Sequence, residues 1–344
     1  MVGNPGTSAE EHVLCGLNFD PEMVDRARQA DQMLVLDMDL TRRCNLRCFY
    51  CDRTPDRLGA GPPRRELTGG QRCDLIQQAR ALGAWAVGLV GAGEPLLDPD
   101  FWPIMELING LGMTALVYTS GWEVRDPATV DRLWRLNASI MLKYNTHDEA
   151  TADKMAGVQG YGRHSKQVLD WLMERGFNGM TPTRLGINVV VTNVLREERA
   201  FLDLLRWCRR TNVYMHGQSL IPAGRADSEE MTMRRDEVMR LLDRAAQIDA
   251  EEFGMHYEVK TPFVGGFRCR KVNVGLFVNA FGEVWDCNGS GRRISDFSRA
   301  SLADIWRSED ARGIRRPLQD GFCLIRERWW QHKDREQGAT GGRR

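Results

Sequence analysis

Six short apolar runs alternate with stretches of helical periodicity between residues 33 and 220, and this rhythm constrains the fold more than any other property of the chain. The clearest run is LGINVVV at 185–191, whose crowded β-branched side chains suit a pleated, buried strand. The pattern predicts further strands at 33–39, 86–90, 115–118, 139–143 and 213–220. It predicts helices at 68–82 (stopped by Gly83), 101–111, 127–136, 165–175 and 198–209. Strands that alternate with helices pair in parallel through right-handed crossovers, with the helices outside. About eight such units close a full barrel; six predict an α/β fold that stops at a partial (β/α)6 barrel of parallel strands.

Beyond Leu220 the character changes. Pro222-Ala223-Gly224-Arg225 is a turn-rich junction, followed by a helix from about Ser228. Val238, Leu241, Leu242, Ala245 and Ile248 recur on one face of that helix, and Gly254 ends it. Residues 272–278 and 283–287 read as a β-hairpin around a turn at 279–282. The chain therefore divides into an N-terminal segment (1–32), the partial barrel (33–225), a small α+β extension (226–336) and a disordered tail (337–344).

Forty-seven basic and 47 acidic residues leave a formal net charge of zero, which argues against nucleic acid or a membrane surface as partner. The pairs Arg42-Arg43 and Arg315-Arg316 read as solvated faces. No apolar run reaches the ~18–20 residues that cross a bilayer, and the N-terminus lacks a basic-then-apolar signal pattern. The expected location is the cytoplasm. There, nine cysteines in clusters point to metal ligation in preference to disulfides.

Cys44, Cys48 and Cys51 stand in CNLRCFYC, directly after the first predicted strand. Thiolates at this density suit zinc or an iron–sulfur cluster. A structural zinc site needs a closed set of about four ligands. No His lies between His12 and His147, and Cys73 falls in a predicted helix, so a fourth local ligand is missing. Three thiolates on a four-iron cluster leave one iron open to a substrate.

CNLRCFYC closely resembles the CxxxCxxC signature of the radical S-adenosylmethionine (SAM) superfamily, with an aromatic before the last cysteine. The resemblance implies a 4Fe–4S cluster whose open iron binds the amine and carboxylate of SAM. It further implies reductive cleavage to methionine and a 5′-deoxyadenosyl radical, driven by a flavodoxin- or ferredoxin-type electron donor. Tyr50 is implied to pack near the adenine. Gly91-Ala92-Gly93-Glu94-Pro95, after the second strand, resembles the family's GGEP motif with one glycine replaced. Its backbone and Glu94 are implied to receive the SAM amino group. Later strand ends complete the implied pocket with Thr119 and Ser120, Lys143 and Asn145, and Val191 and Asn193.

Cys269, Cys287 and Cys323, with the GEVWDC segment and the ISDFSRASLADIWRSED stretch, resemble the SPASM or shorter twitch extension of the same superfamily. That extension implies an auxiliary 4Fe–4S cluster. The family's later CxxC is absent, because Cys323 is followed by Leu-Ile-Arg. The fourth ligand is therefore distant (Cys15), non-cysteine or absent. Cys73 and Cys208 read as buried helix cysteines.

An auxiliary cluster accepts an electron from a substrate radical, and no spare Cys stands at a strand end to return a hydrogen atom. The expectation is thus two-electron oxidation rather than redox-neutral epimerisation or dehydration. Only about thirty residues precede the first strand, too few for a leader-peptide domain of the kind peptide-modifying SPASM proteins carry. The expected substrate is a small molecule: a secondary alcohol of an aminocyclitol or aminoglycoside antibiotic intermediate, oxidised to a ketone. His147, His216, Gln218 and Arg225 are the candidates for the base. Peptide maturation, and a non-enzymatic iron–sulfur or zinc module, are the alternatives.

Overall fold

The computed structural model describes residues 13–53, 65–193, 198–221, 224–226, 233–259, 263–267, 269–289, 291–316 and 323. A first helix, α1 (Pro21–Gln29), precedes the barrel. The six expected strands are β1 (Val35–Met38), β2 (Ala86–Leu89), β3 (Thr114–Thr119), β4 (Ala138–Lys143), β5 (Leu185–Val191) and β6 (Tyr214–Ser219). Between them run α2 (Gly69–Ala81), α3 (Phe101–Gly110), α4 (Pro127–Arg135), α5 (Glu149–Ala156), α6 (Tyr161–Glu174) and α7 (Glu198–Arg210). All neighbours from β1 to β6 pair in parallel, as the alternation predicts.

The extension begins with α8 (Arg235–Phe253), which Gly254 ends in the left-handed region, as expected. The hairpin starts later than expected, because Lys271–Val274 form a helical turn, α9. The strand β7 (Gly275–Val278) then pairs in parallel with β1, while β8 (Glu283–Trp285) and β9 (Arg293–Asp296) continue antiparallel. One nine-stranded sheet results, in the order β6-β5-β4-β3-β2-β1-β7-β8-β9, and it does not close. Two short helices, α10 (Leu302–Arg307) and α11 (Glu309–Arg315), complete the described extension. The expected start of α8 at Ser228 and the tail at 337–344 lie outside the described residues. Among the described residues no helix is long and apolar enough to cross a membrane.

Strand alternation sorts side chains onto two faces. Leu36 and Met38 join the helix-side core with Leu75, Ile76 and Ile104. Val35 instead belongs to a second apolar cluster on the opposite face, with Leu116, Met141 and Tyr214. That second cluster is filled by elements sequence patterning left unassigned. Leu14, Leu17 and Phe19 enter from the N-terminal segment, and Phe263 and Phe267 from the stretch between α8 and β7.

Arg72 ties this scaffold to the loop that carries the first cysteines. Thr68 caps α2 through a reciprocal box with Gln71, which sets the helix so that Arg72 points inward. Its guanidinium is almost fully buried, pairs with Asp98 at 3.1 Å and donates to the carbonyl of Leu40. Removing one partner of a buried pair leaves the other charge uncompensated. Arg72→Ala is expected to cost about 3–5 kcal/mol of stability, measured by urea unfolding, and to loosen the loop that starts at Leu40.

Candidate functional site

The carboxyl ends of β1 to β6 surround a cavity of about 410 Å³ that reaches from the cysteine loop to the extension. Leu17, Phe263 and Phe267 line part of it, so the second apolar cluster forms its deep wall. Ligands of open parallel α/β sheets bind at this end of the strands.

Cys44, Cys48 and Cys51 all line the cavity. Their loop has no regular structure and is held by its neighbours. Arg47 N donates to Ala156 O at 2.9 Å, and Leu46 packs on Ala152, Ala156 and Tyr161. The buttress is α5, which the sequence reading missed. Its signals were present: Asp148 caps it by accepting from Thr151 N, and Gly157 ends it at φ +67°. From the other side Arg225 N donates to Cys51 O at 3.0 Å, and the Arg225 guanidinium reaches Cys48 O at 3.4 Å. Tyr50 is buried behind Cys48. Its ring lies 4.7 Å from the Lys143 ammonium, and its hydroxyl accepts from Asn145 Nδ2 at 3.2 Å.

Burial raises all three thiols, Cys44 to about 11, so without a metal they hold their protons. Loading a soft metal would release those protons. Among the described residues no three His, Cys, Asp or Glu side chains converge as a single ion requires. A donor set of three thiols on a loop at a cavity wall suits a polynuclear iron–sulfur cluster.

The Gly91–Pro95 stretch explains its own substitution. Gly91 sits at φ +65°, and a Cβ on Gly93 would lie 2.3 Å from the Arg43 carbonyl oxygen. Both positions demand glycine. Ala92, between them, takes an ordinary backbone conformation, and its N–H donates to the carboxyl of Asp39. Glu94 N donates to Arg43 O at 2.9 Å, locking this turn onto the cysteine loop. The Glu94 side chain is buried and accepts from Thr119 Oγ1 at 2.7 Å and Ser120 Oγ at 2.6 Å.

Several polar residues that the sequence reading did not single out face the same cavity. Asp37 of β1 and Asp39, one residue past its end, face the cavity on the side opposite Leu36 and Met38. The Asp37 carboxylate pairs with Lys271 Nζ at 2.7 Å, and a Cβ at Gly88 would fall 2.1 Å from it. Burial raises the Asp39 carboxyl to about 7, against the opposing pull of Arg53. Burial likewise lowers the Lys143 ammonium to about 7, opposed by the Cys48 thiol and Asp52. Lys143 Nζ donates to Asn188 Oδ1 at 3.2 Å. Period-two alternation, applied to β1 and to Asn188 on β5, was the signal that could have found these residues.

Not every expected residue reaches the cavity. Val191 lies in the helix-side core, whereas Asn188 and Val190 on the same strand line the cavity. The correction is one of strand parity. Asn145 stands one layer back, fixing Tyr50 and accepting from Val190 N at 3.0 Å. Asn193 is half-buried at the end of β5 and is not among the lining residues. His147 bonds Tyr144 Oη at 2.9 Å and packs edge-on against Trp207 of α7, outside the cavity. That geometry removes it from the base candidates. Arg225 does line the cavity, where its guanidinium contacts the cysteine loop backbone and pulls the Cys48 and Cys51 thiols down against the larger, raising effect of burial. His216 and Gln218 do line the cavity, with His216 Nδ1 bonded to Tyr214 Oη at 3.0 Å.

Cys269, Cys287 and Cys323 line the extension's side of the same cavity and sense one another electrostatically. Burial is the main cause that pushes the Cys287 thiol up to about 12, with Cys269 adding to it. Cys15 is remote from them: its N–H donates to Thr183 O at 2.7 Å, and its thiol faces Ser139 near the opposite strand ends. It supplies no fourth ligand. Cys208 is buried in the helix-side core, as expected, whereas Cys73 is only partly buried and packs against that core.

The sequence model of the radical SAM superfamily matches residues 38–208, and the chain belongs to that superfamily. It is therefore a radical SAM enzyme, and the cofactors of that class are a 4Fe–4S cluster and SAM. It is 28% identical over 292 residues to the PqqA peptide cyclase of Xanthomonas axonopodis pv. citri, spanning 80% of this chain and 74% of that protein. It is 27% identical over 325 residues to the mycofactocin maturase MftC of Mycobacterium tuberculosis, spanning 88% and 78%. Among solved structures, Streptococcus suis SuiB bound to its precursor peptide SuiA matches with a TM-score of 0.67 at 14% identity, covering 88% of this chain and 75% of that one. SuiB shares the fold.

Gly93→Ala is expected to drive the turn off Arg43 and to lower both iron retained per chain and SAM affinity. Gly70→Ala is the control, since a Cβ there meets nothing within 4 Å. Iron analysis after anaerobic reconstitution reads both.

Proposed function

We propose that this chain is a radical SAM peptide maturase that oxidises a residue of a substrate peptide. The observation that carries the reading is one cavity walled by two separate cysteine triads, Cys44/Cys48/Cys51 beside the glycine-rich turn and Cys269/Cys287/Cys323 on the extension. Such a cavity suits a reaction that starts at one cluster and discharges an electron at another. The names of the matched PqqA peptide cyclase and mycofactocin maturase favour a peptide over the aminocyclitol alcohol expected from sequence. When bound, the first cluster and SAM supply a carbon radical that abstracts hydrogen, and an auxiliary four-iron cluster supplies an electron acceptor. Reduction of the first cluster is assigned to a flavodoxin- or ferredoxin-type donor.

The chain's own residues do the rest. Tyr50, with Asn145 behind it, walls the cavity beside Cys48. Glu94 offers a negative charge to the SAM ammonium. Loss of hydrogen and then an electron leaves the substrate with one proton to shed. We assign its acceptor as an Asp39 carboxylate oxygen: the group lines the cavity, is buried, and titrates near neutrality.

Anaerobic incubation with SAM and reductant is expected to yield 5′-deoxyadenosine, and Cys48→Ala to abolish it. Cys287→Ala is expected to keep SAM cleavage while losing the oxidised peptide, read by mass spectrometry as a loss of two hydrogens. Full product from Cys287→Ala would refute the electron-acceptor role. Turnover of an aminocyclitol, with none of any peptide encoded beside the gene, would restore the small-molecule reading. Asp39→Asn is expected to spare 5′-deoxyadenosine formation and suppress product.

A further inference from the structure

We infer that Thr119 and Ser120 are positioning residues whose hydroxyls hold the Glu94 carboxylate in one orientation at the cavity wall. The inference rests on the proposed meeting of Glu94 with the amino group of SAM, and it alters the part expected of Thr119 and Ser120, which sequence position suggested as direct SAM contacts.

The hydrogen bonds are directional. Glu94 Oε1 accepts from Thr119 Oγ1 at 2.7 Å and from Leu96 N at 3.3 Å. Its Oε2 accepts from Ser120 N at 2.8 Å and from Ser120 Oγ at 2.6 Å. A hydroxyl carries one proton, and both protons are committed to the carboxylate. Each hydroxyl oxygen in turn accepts from the loop ahead: Gly121 N reaches Thr119 Oγ1 at 2.9 Å, and Trp122 N reaches Ser120 Oγ at 3.2 Å. Turning either proton to a ligand breaks its bond to the carboxylate, and swinging either side chain away breaks the accepted bond as well. The loop is held as well: the Tyr161 hydroxyl proton is shared between Lys143 O at 2.7 Å and Ser120 O at 3.1 Å, and Gly121 takes φ +77°. A carboxylate so held has no freedom to swing toward or away from an incoming ammonium.

These bonds also favour the charged form. Burial pushes the Glu94 carboxyl up, and the Ser120 and Thr119 bonds pull it down. Without them a buried acid tends toward its neutral form, which attracts an ammonium weakly.

The test titrates anaerobically reconstituted holoenzyme with SAM, following the electron paramagnetic resonance signal of the reduced cluster and equilibrium binding. Thr119→Val and Ser120→Ala are each expected to weaken SAM binding about tenfold, as loss of a charge-assisted hydrogen bond implies. Thr119→Ser and Ser120→Thr retain the hydroxyl and are expected to bind as wild type. Iron content should match wild type in all four, and turnover should show KM for SAM rising with kcat at saturation little changed. Binding by the first pair within about twofold of wild type overturns the inference. So does parallel loss of iron, which would mean that the hydroxyls hold the loop and not the charge. A wild-type holoenzyme that binds no SAM refutes the underlying reading, and the inference with it.

Discussion

A loop without helix or strand must have its backbone groups satisfied by whatever surrounds it, and the loop from Leu40 to Arg53 meets that requirement by drawing on the whole fold. Leu40 O accepts from Arg72 of α2, and Arg42 N donates to Glu66 at 2.8 Å. Arg43 O accepts from Glu94 N, Arg47 N donates to Ala156 O, and Cys51 O accepts from Arg225 N. Five separate regions therefore set the positions of Cys44, Cys48 and Cys51. The closest approach is at Gly93, where any side chain would strike Arg43. Through that contact the geometry of the cysteines and of the glycine-rich turn is one geometry.

The cavity beside this loop concentrates charge where water is scarce. Asp37 is answered by Lys271 at 2.7 Å, while Asp39 and Lys143 lie near neutrality because burial outweighs their partners. Burial pushes the Glu94 carboxyl up, and hydrogen bonds from Ser120 and Thr119 oppose that rise. Asp39 and Lys143 can therefore take up or release a proton near neutral pH, and both line the cavity that the two triads share. The extension contributes to this in the plainest way, by adding β7 to the edge of β1 so that Cys269 and Lys271 arrive at the barrel's own cavity.

Much of this was legible in the residue order. The six parallel strands, the glycine stop after α2 and the three thiols of CNLRCFYC follow from local pattern, because periodicity and spacing are properties of neighbours in sequence. The misses share one cause. Val191 stands at the strand end, but strand parity turns it into the helix-side core and gives the cavity Val190. His147 follows a cavity-facing Lys143, yet the chain turns at Tyr144 and carries it to Trp207. Helix α5 had an Asp cap and a glycine stop, and its importance lay in what it touches. Cys15 has the right chemistry for a ligand and stands at the wrong end of the sheet.

From sequence alone came the class of chemistry, since three closely spaced thiols without a local fourth partner suit an open cluster and, in CNLRCFYC, resemble the radical SAM signature. The alternation of strands and helices likewise specified a parallel, unclosed sheet. Only the tertiary structure decided which side chains share the cavity, because contact across a sheet depends on strand order and on the face each residue takes. It brought Asp37 to Lys271 and Glu94 to Ser120 across separations that no local pattern spans.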